Sequence, residues 1–84
     1  MEPRELLIQY YEAILENLSD EDKRKAVFTL FYDGENAYYV LVKVGQDTVN
    51  LYKLTADYIA KEIGRLLGGG GGGNDTTAWA GAKK

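Results

Sequence analysis

The chain has no cysteine and no histidine, and only one proline, in 84 residues. Without cysteine, no disulfide can staple the fold and no zinc–thiolate centre can form. Without histidine, the usual general base, the usual metal ligand and the usual physiological-pH switch are missing. A Ser–His–Asp triad, a metallophosphoesterase centre and a histidine-containing zinc site are excluded together. No apolar run approaches the ~20 residues that span a bilayer, and the N-terminus lacks a signal-peptide layout. The expectation is a soluble, cytoplasmic protein with no membrane partner. Thirteen acidic residues stand against ten basic ones, a net charge of −3. No carboxylate pair sits at a telling spacing beside groups that would shift a pKa, so neither enzyme activity nor a cofactor is expected. An acidic balance also disfavours general adhesion to phosphate backbones. Any nucleic-acid site must be local, built from backbone amides and a few well-placed Lys and Arg.

A chain of this length makes one domain, spanning 1–84. A domain this small buries only about 60–65% of its unfolded surface and often leans on a partner or on a second copy. Pro3 to Leu18 reads as a helix. Proline suits the first turn, and Leu7, Tyr11, Ile14 and Leu18 form a stripe that Ile8 and Leu15 widen. Ser19 is placed to cap a further short turn. Ala26 to Tyr32 and Tyr38 to Val44 are β-branched and aromatic, and the Asp33-Gly34-Glu35-Asn36 turn signal between them makes an antiparallel hairpin. Gly45 to Thr48 reads as turn, with Val49 to Leu54 bridging onward. Thr55 then caps a helix from Ala56 to about Leu67, with Ile59, Ile63, Leu66 and Leu67 on one face. Gly64 inside that helix costs about 1 kcal/mol against alanine, which a close approach to the sheet would explain. Of the seven tyrosines and two phenylalanines, Tyr11, Phe28, Phe31, Tyr32, Tyr38 and Tyr39 read as strand and core packing. Lys23-Arg24-Lys25 follows Asp20-Glu21-Asp22 and reads as a solvated turn.

Gly68 to Gly73 is a run of six glycines. One reading is a flexible linker followed by a disordered tail. The other is a site: glycines after a helix can take positive φ and turn several N–H groups into one anion-binding concavity. The run is not a Walker loop, because no Gly-Lys-Ser/Thr closes it. It is not a dinucleotide fingerprint, because the glycines end a helix rather than begin one.

The stretch from Leu66 to Lys83, a helix end, the glycine run, Asn74-Asp75 and then Ala78-Trp79-Ala80-Gly81-Ala82, resembles the signature of the DHH-associated domain. That domain forms the C-terminal globular part of alanyl-tRNA synthetases and has relatives in DHH-type phosphoesterases. Gly70 stands at the family's lysine place, Asn74-Asp75 where Arg-Pro is usual, Trp79 where Gln is usual and Ala82 where the last glycine is usual. The resemblance covers residues 20 to 84 and is specific from Gly68 to Lys83. The elements together make an α+β fold, one small sheet packed on helices: helix (1–19), hairpin, helix, and then over 68–84 a glycine-rich loop and a short third strand from Thr77 to Ala80; the order of helix, two strands and helix fits the family. The family usually carries a final helix beyond this motif, so one sheet face is expected to lie uncovered or to meet a partner.

The resemblance further implies a non-catalytic module that binds tRNA or another structured RNA. Amides of Gly70, Gly71, Gly72 and Gly73 would meet the nucleic acid. Lys61, Arg65 and Lys83 would add charge, and Asn74 and Trp79 would shape the contact. Plain alternatives stand beside these roles: dipole-compensating placement for Lys61 and Arg65, a solvated terminus for Lys83, packing for Trp79. The competing functions are oligomerisation or docking, and service as the accessory substrate-binding part of a DHH-type phosphoesterase, with a second copy, a synthetase or a phosphoesterase subunit as partner.

Overall fold

The computed structural model describes residues 1–84. The elements, in chain order, are α1 (Pro3–Leu15), α2 (Asp20–Lys25), β1 (Val27–Asp33), β2 (Ala37–Val44), α3 (Gln46–Tyr52), α4 (Ala56–Leu67), β3 (Gly70–Gly73) and β4 (Thr77–Lys83). The fold is α+β. The strands form one antiparallel sheet in the order β1-β2-β4-β3. No helix is long and apolar enough to cross a membrane.

Most elements end where their capping chemistry dictates. The first helix stops at Leu15, three residues short of the sequence expectation, because Ser19 opens a new helix: its side chain accepts the Asp22 amide at 3.1 Å. The Lys23–Lys25 block is thus the last turn of α2, where cations suit the helix dipole. Thr55 caps α4 by accepting the Tyr58 amide at 3.1 Å, and Gly68, at φ 80°, closes it in the left-handed region. The expected turn and bridge over Gly45 to Leu54 is instead the helix α3, ended by Lys53 at φ 57°. Only Val49 of α3 is buried, so no apolar stripe announces it.

Each sheet face is half covered, on opposite diagonals. Alternation along the strands turns Val40, Val42, Val44, Ala78 and Ala80 to one face, where they form the core with Val49, Ala56 and Ala60. Here α4 lies over β3, β4 and part of β2. The opposite face carries Leu41 and is covered by α1 over β1 and β2, with Leu7 buried against it. The β1 residues on the α4 face lie beyond the reach of α4. Phe31 is therefore 58% exposed and Tyr38, on β2, 36% exposed, although both read from the sequence as packing residues. Leu66 points away from the sheet, 75% exposed. The buried stripe of α4 is Ala56, Ala60 and Gly64, flanked by Ile59, Ile63 and Leu67.

The glycine run is neither a flexible linker nor, beyond Gly69, a loop. Gly70–Gly73 is an edge strand paired residue for residue with Gly81 to Ala78 of β4. β4 is longer than expected, Thr77–Lys83, and lies between β2 and β3. The small-residue stripe of α4 brings its backbone against that of β3, and a Cβ on Gly64 would overlap Gly70. The close approach expected from Gly64 is present, and its partner is the glycine strand.

Candidate nucleic-acid interface

The surface of interest begins where α1 stops. On its face of the sheet, β4 presents Thr77, Trp79, Gly81 and Lys83, and β3 presents Gly70 and Gly72. Trp79 pairs with Gly72 on one side and with Leu41 on the other. A Cβ at Gly70 would have no atom within 4 Å, and one at Gly72 would touch only Asp57 and Lys61 at ordinary contact distances. The half-buried indole therefore stands beside a floor of bare backbone. No helix crosses it.

Lys43 pairs with Thr77, two residues from Trp79 on the same face. Its Nζ donates to Thr77 Oγ1 at 2.8 Å and lies 4.7 Å from the Tyr11 ring centroid. Burial pushes the Lys43 pKa down, so its charge is held at a cost to stability. No carboxylate pairs with it. Beside it a cleft of about 310 Å³ opens between α2 and the sheet, with Lys23, Arg24, Thr76 and Tyr11 on its walls. Arg24 is paired with Asp47 at 3.5 Å, and Lys23 reaches Asp20 only at 3.9 Å. The strand residues of this uncovered half include two lysines, Lys43 and Lys83, and no acid.

The residues singled out from the sequence do not all meet here. Gly70, Gly72, Trp79 and Lys83 share the face. Gly71 and Gly73 turn to the opposite face, against α4 and β4. Lys61 reaches the rim of β3, its Cε 3.9 Å from where a Gly72 Cβ would stand, but is paired with Asp57 at 3.0 Å. Arg65, one turn further, is paired with Glu62 at 2.9 Å and sits away from the floor. Asn74 serves the turn itself: its Oδ1 accepts from the amides of Thr76 and Thr77 at 3.0 and 2.8 Å.

The expected concavity of glycine amides does not form, because Gly68 is the one glycine at positive φ. The Asn74 amide donates to Thr77 O at 2.8 Å. In this antiparallel register that bond directs the Gly70 and Gly72 amides to β4 as well. The Gly73 amide donates to Asp57 Oδ1 at 2.9 Å. Lys43 and Thr77 are absent from the sequence-derived set, since only the strand register brings them to the Trp79 face; Lys23 and Arg24 border the adjacent cleft.

Asp57 carries a pH prediction. Its hydrogen bond with Lys61, and then that from the Gly73 amide, hold its carboxyl below the usual range. A depressed folded pKa stabilises above the unfolded value and is lost as pH falls through the folded one. Chemical denaturation should show stability falling from about pH 5 downward, and Asp57→Asn should flatten that fall while lowering stability at pH 7. Equal slopes for both proteins would remove Asp57 from the account.

No family model, no curated protein and no solved structure matches the chain.

Proposed function

We propose that the chain is a non-catalytic RNA-binding module that takes an unpaired base on the uncovered half of its sheet. The observation that supports this most is Trp79, set beside the glycine floor with Lys43 and Lys83 on the same face. Bases stack on aromatic rings without regard to sequence, at about 1–3 kcal/mol per base. A bare backbone beside the indole leaves room for the sugar. Lys43 lies about 7 Å along the sheet from the Trp79 row, since strand residues rise about 3.3 Å each, and is placed to meet a phosphate.

The chemistry suits loops and exposed corners, where RNA presents splayed bases. Structured tRNA offers such corners, and the DHH-associated resemblance of Gly68 to Lys83 points to the same ligand. The acidic balance fits a local contact. Two or three phosphates engaged by Lys43, Lys83 and Lys61 would give a log–log salt slope of roughly −1.4 to −2 for single strands.

Fluorescence anisotropy with total tRNA, a single-stranded RNA and its perfect duplex tests the reading. Binding to tRNA and to the single strand, weak for the duplex and with that shallow slope, is expected. No binding at low salt, or equal binding to the duplex, would overturn it.

A further inference from the structure

The two edges of the sheet differ. On β3 the outward amides nearest its ends are taken: Gly69 donates to Gly64 O at 2.8 Å and Gly73 to Asp57 Oδ1 at 2.9 Å. α4 thus closes both ends of that edge. β1 is the other edge, and it is open over all seven residues. The Gly34 amide donates to Ala37 O at 3.0 Å, which fixes the ladder phase. In that phase the N–H and C=O groups of Val27, Thr29, Phe31 and Asp33 point outward. They have no partner in the chain. An edge of this length is ordinarily blunted by charge, proline or a bulge. β1 has no charge before Asp33, no proline and an unbroken register.

Beside the edge runs an apolar groove of about 390 Å³ between α1 and β1, lined by Leu6, Tyr10, Ile14, Leu30 and Phe31 among others. The flank of α1 above it, Leu6, Gln9, Tyr10 and Ala13, carries no charge. The glutamates of α1 occupy its other sides. Only 13 of 84 residues are buried, so the isolated chain leaves this apolar surface without cover.

We propose that the occupant of this edge is a second copy of the chain, paired β1 to β1 in antiparallel fashion across a two-fold axis normal to the sheet. Three features make the surface self-complementary. First, antiparallel pairing lays the start of one β1 beside the end of the other. In registers centred on Thr29 or Leu30, Lys25 of one copy, paired with Glu21 in its own chain, faces Asp33, which Lys84 holds in its chain, or Glu35 of the other, twice over, so the exchange joins two existing pairs into one network. Second, α1 lies over β1 and β2. With strands about 4.8 Å apart, its axis falls about 5 Å from the two-fold. Two α1 helices would then run roughly 10 Å apart, the spacing at which helices pack. Their facing flanks are the uncharged ones. Third, the exposed Val27 and Phe31 side chains of one copy meet those of the other on the opposite face, as an isologous contact requires. A standard interface of about 800 Å² per partner is a modest share of the 5403 Å² surface.

The dimer is independent of the RNA reading, because Trp79 stands two strands from this edge. It would set two Trp79 faces on the same side of one eight-stranded sheet.

Sedimentation equilibrium of the 84-residue chain from about 1 μM to about 1 mM tests the proposal. The expected species is twice the 9.4 kDa chain mass. Phe31→Lys should shift it to monomer with an unchanged circular-dichroism spectrum. Should that variant unfold, charge reversal provides the second arm. Lys25→Glu alone and the Asp33→Lys/Glu35→Lys pair alone should each weaken the dimer, and an equimolar mixture should recover it as a heterodimer. Monomer at every concentration, or a dimer indifferent to these changes, would overturn the proposal. Anisotropy with tRNA on the same samples scores the RNA reading separately.

Discussion

Gly71→Ala is expected to destabilise the protein by about 3 kcal/mol, while Gly70→Ala, one residue earlier in the same run, is expected to leave stability unchanged or raise it. Both glycines are extended, so φ is not the reason. Space is. A Cβ on Gly71 would overlap the carbonyl of Ala60 and press on Ala80 Cβ at 3.1 Å. The obstacle is helix backbone, which cannot rotate away, and relief would require α4 to lift off the sheet. A Cβ on Gly70 meets nothing. There the substitution removes unfolded-state freedom, a gain of about 0.4–1 kcal/mol at a compatible conformation. Gly69 and Gly73 behave like Gly71, since their Cβ atoms would stand 2.7 Å from the Cβ atoms of Ala82 and Ala78. Urea denaturation of the single variants, with m unchanged, checks the alternation. Equal effects at 70 and 71 would mean that the run is not the strand described. Gly70, on the Trp79 face with no atom near its Cβ place, is also the position at which a side chain can probe binding without disturbing α4.

That alternation also shows what was legible in the residues and what was not. The two long helices and the hairpin follow from apolar periodicity, caps and the Asp-Gly turn, and the structure has them with small shifts in their ends. β3 was illegible because every sequence signal for a strand rests on side chains, and four glycines have none. What makes it a strand lies elsewhere in the chain. Ala56, Ala60 and Gly64 recur every four residues on α4, and Ala78, Ala80 and Ala82 alternate on β4. Two small-residue stripes call for a third thin element between helix and sheet edge. α3 was hidden for a related reason: one inward residue, Val49, cannot show a period. The site was legible in part. Trp79 and Lys83 belong to the run that drew attention, and they share a face. Arg65 sits on α4 paired with Glu62, away from the floor, so proximity along the chain misplaced it, while Lys61 reaches only the rim beside Gly72. Lys43 reads as one polar residue in an apolar strand until its pairing with Thr77 sets it beside the indole.

Trp79→Ala should weaken binding to single-stranded RNA roughly 5- to 150-fold, the equivalent of losing one stacked base at about 1–3 kcal/mol. Trp79→Phe should retain most of the affinity, because a smaller ring still offers a face. The phenylalanine variant also guards against misreading a fold defect, as the half-buried indole packs beside Leu41. Trp79 is the sole tryptophan, so its emission reports the contact directly. Stacking should quench it in proportion to the anisotropy change. Lys43→Met supplies the electrostatic half. It should lower affinity and flatten the log–log salt slope by about 0.7, one phosphate on a single strand. Its effect on stability should be small, because the desolvation it relieves is offset by the Thr77 hydrogen bond and the Tyr11 ring contact it gives up. A structural lysine would behave the other way, losing stability and leaving the slope intact. RNA binding that leaves the indole unquenched and survives Trp79→Ala would move the contact off this face, and the α2 cleft beside Lys23 and Arg24 would be the next surface to substitute.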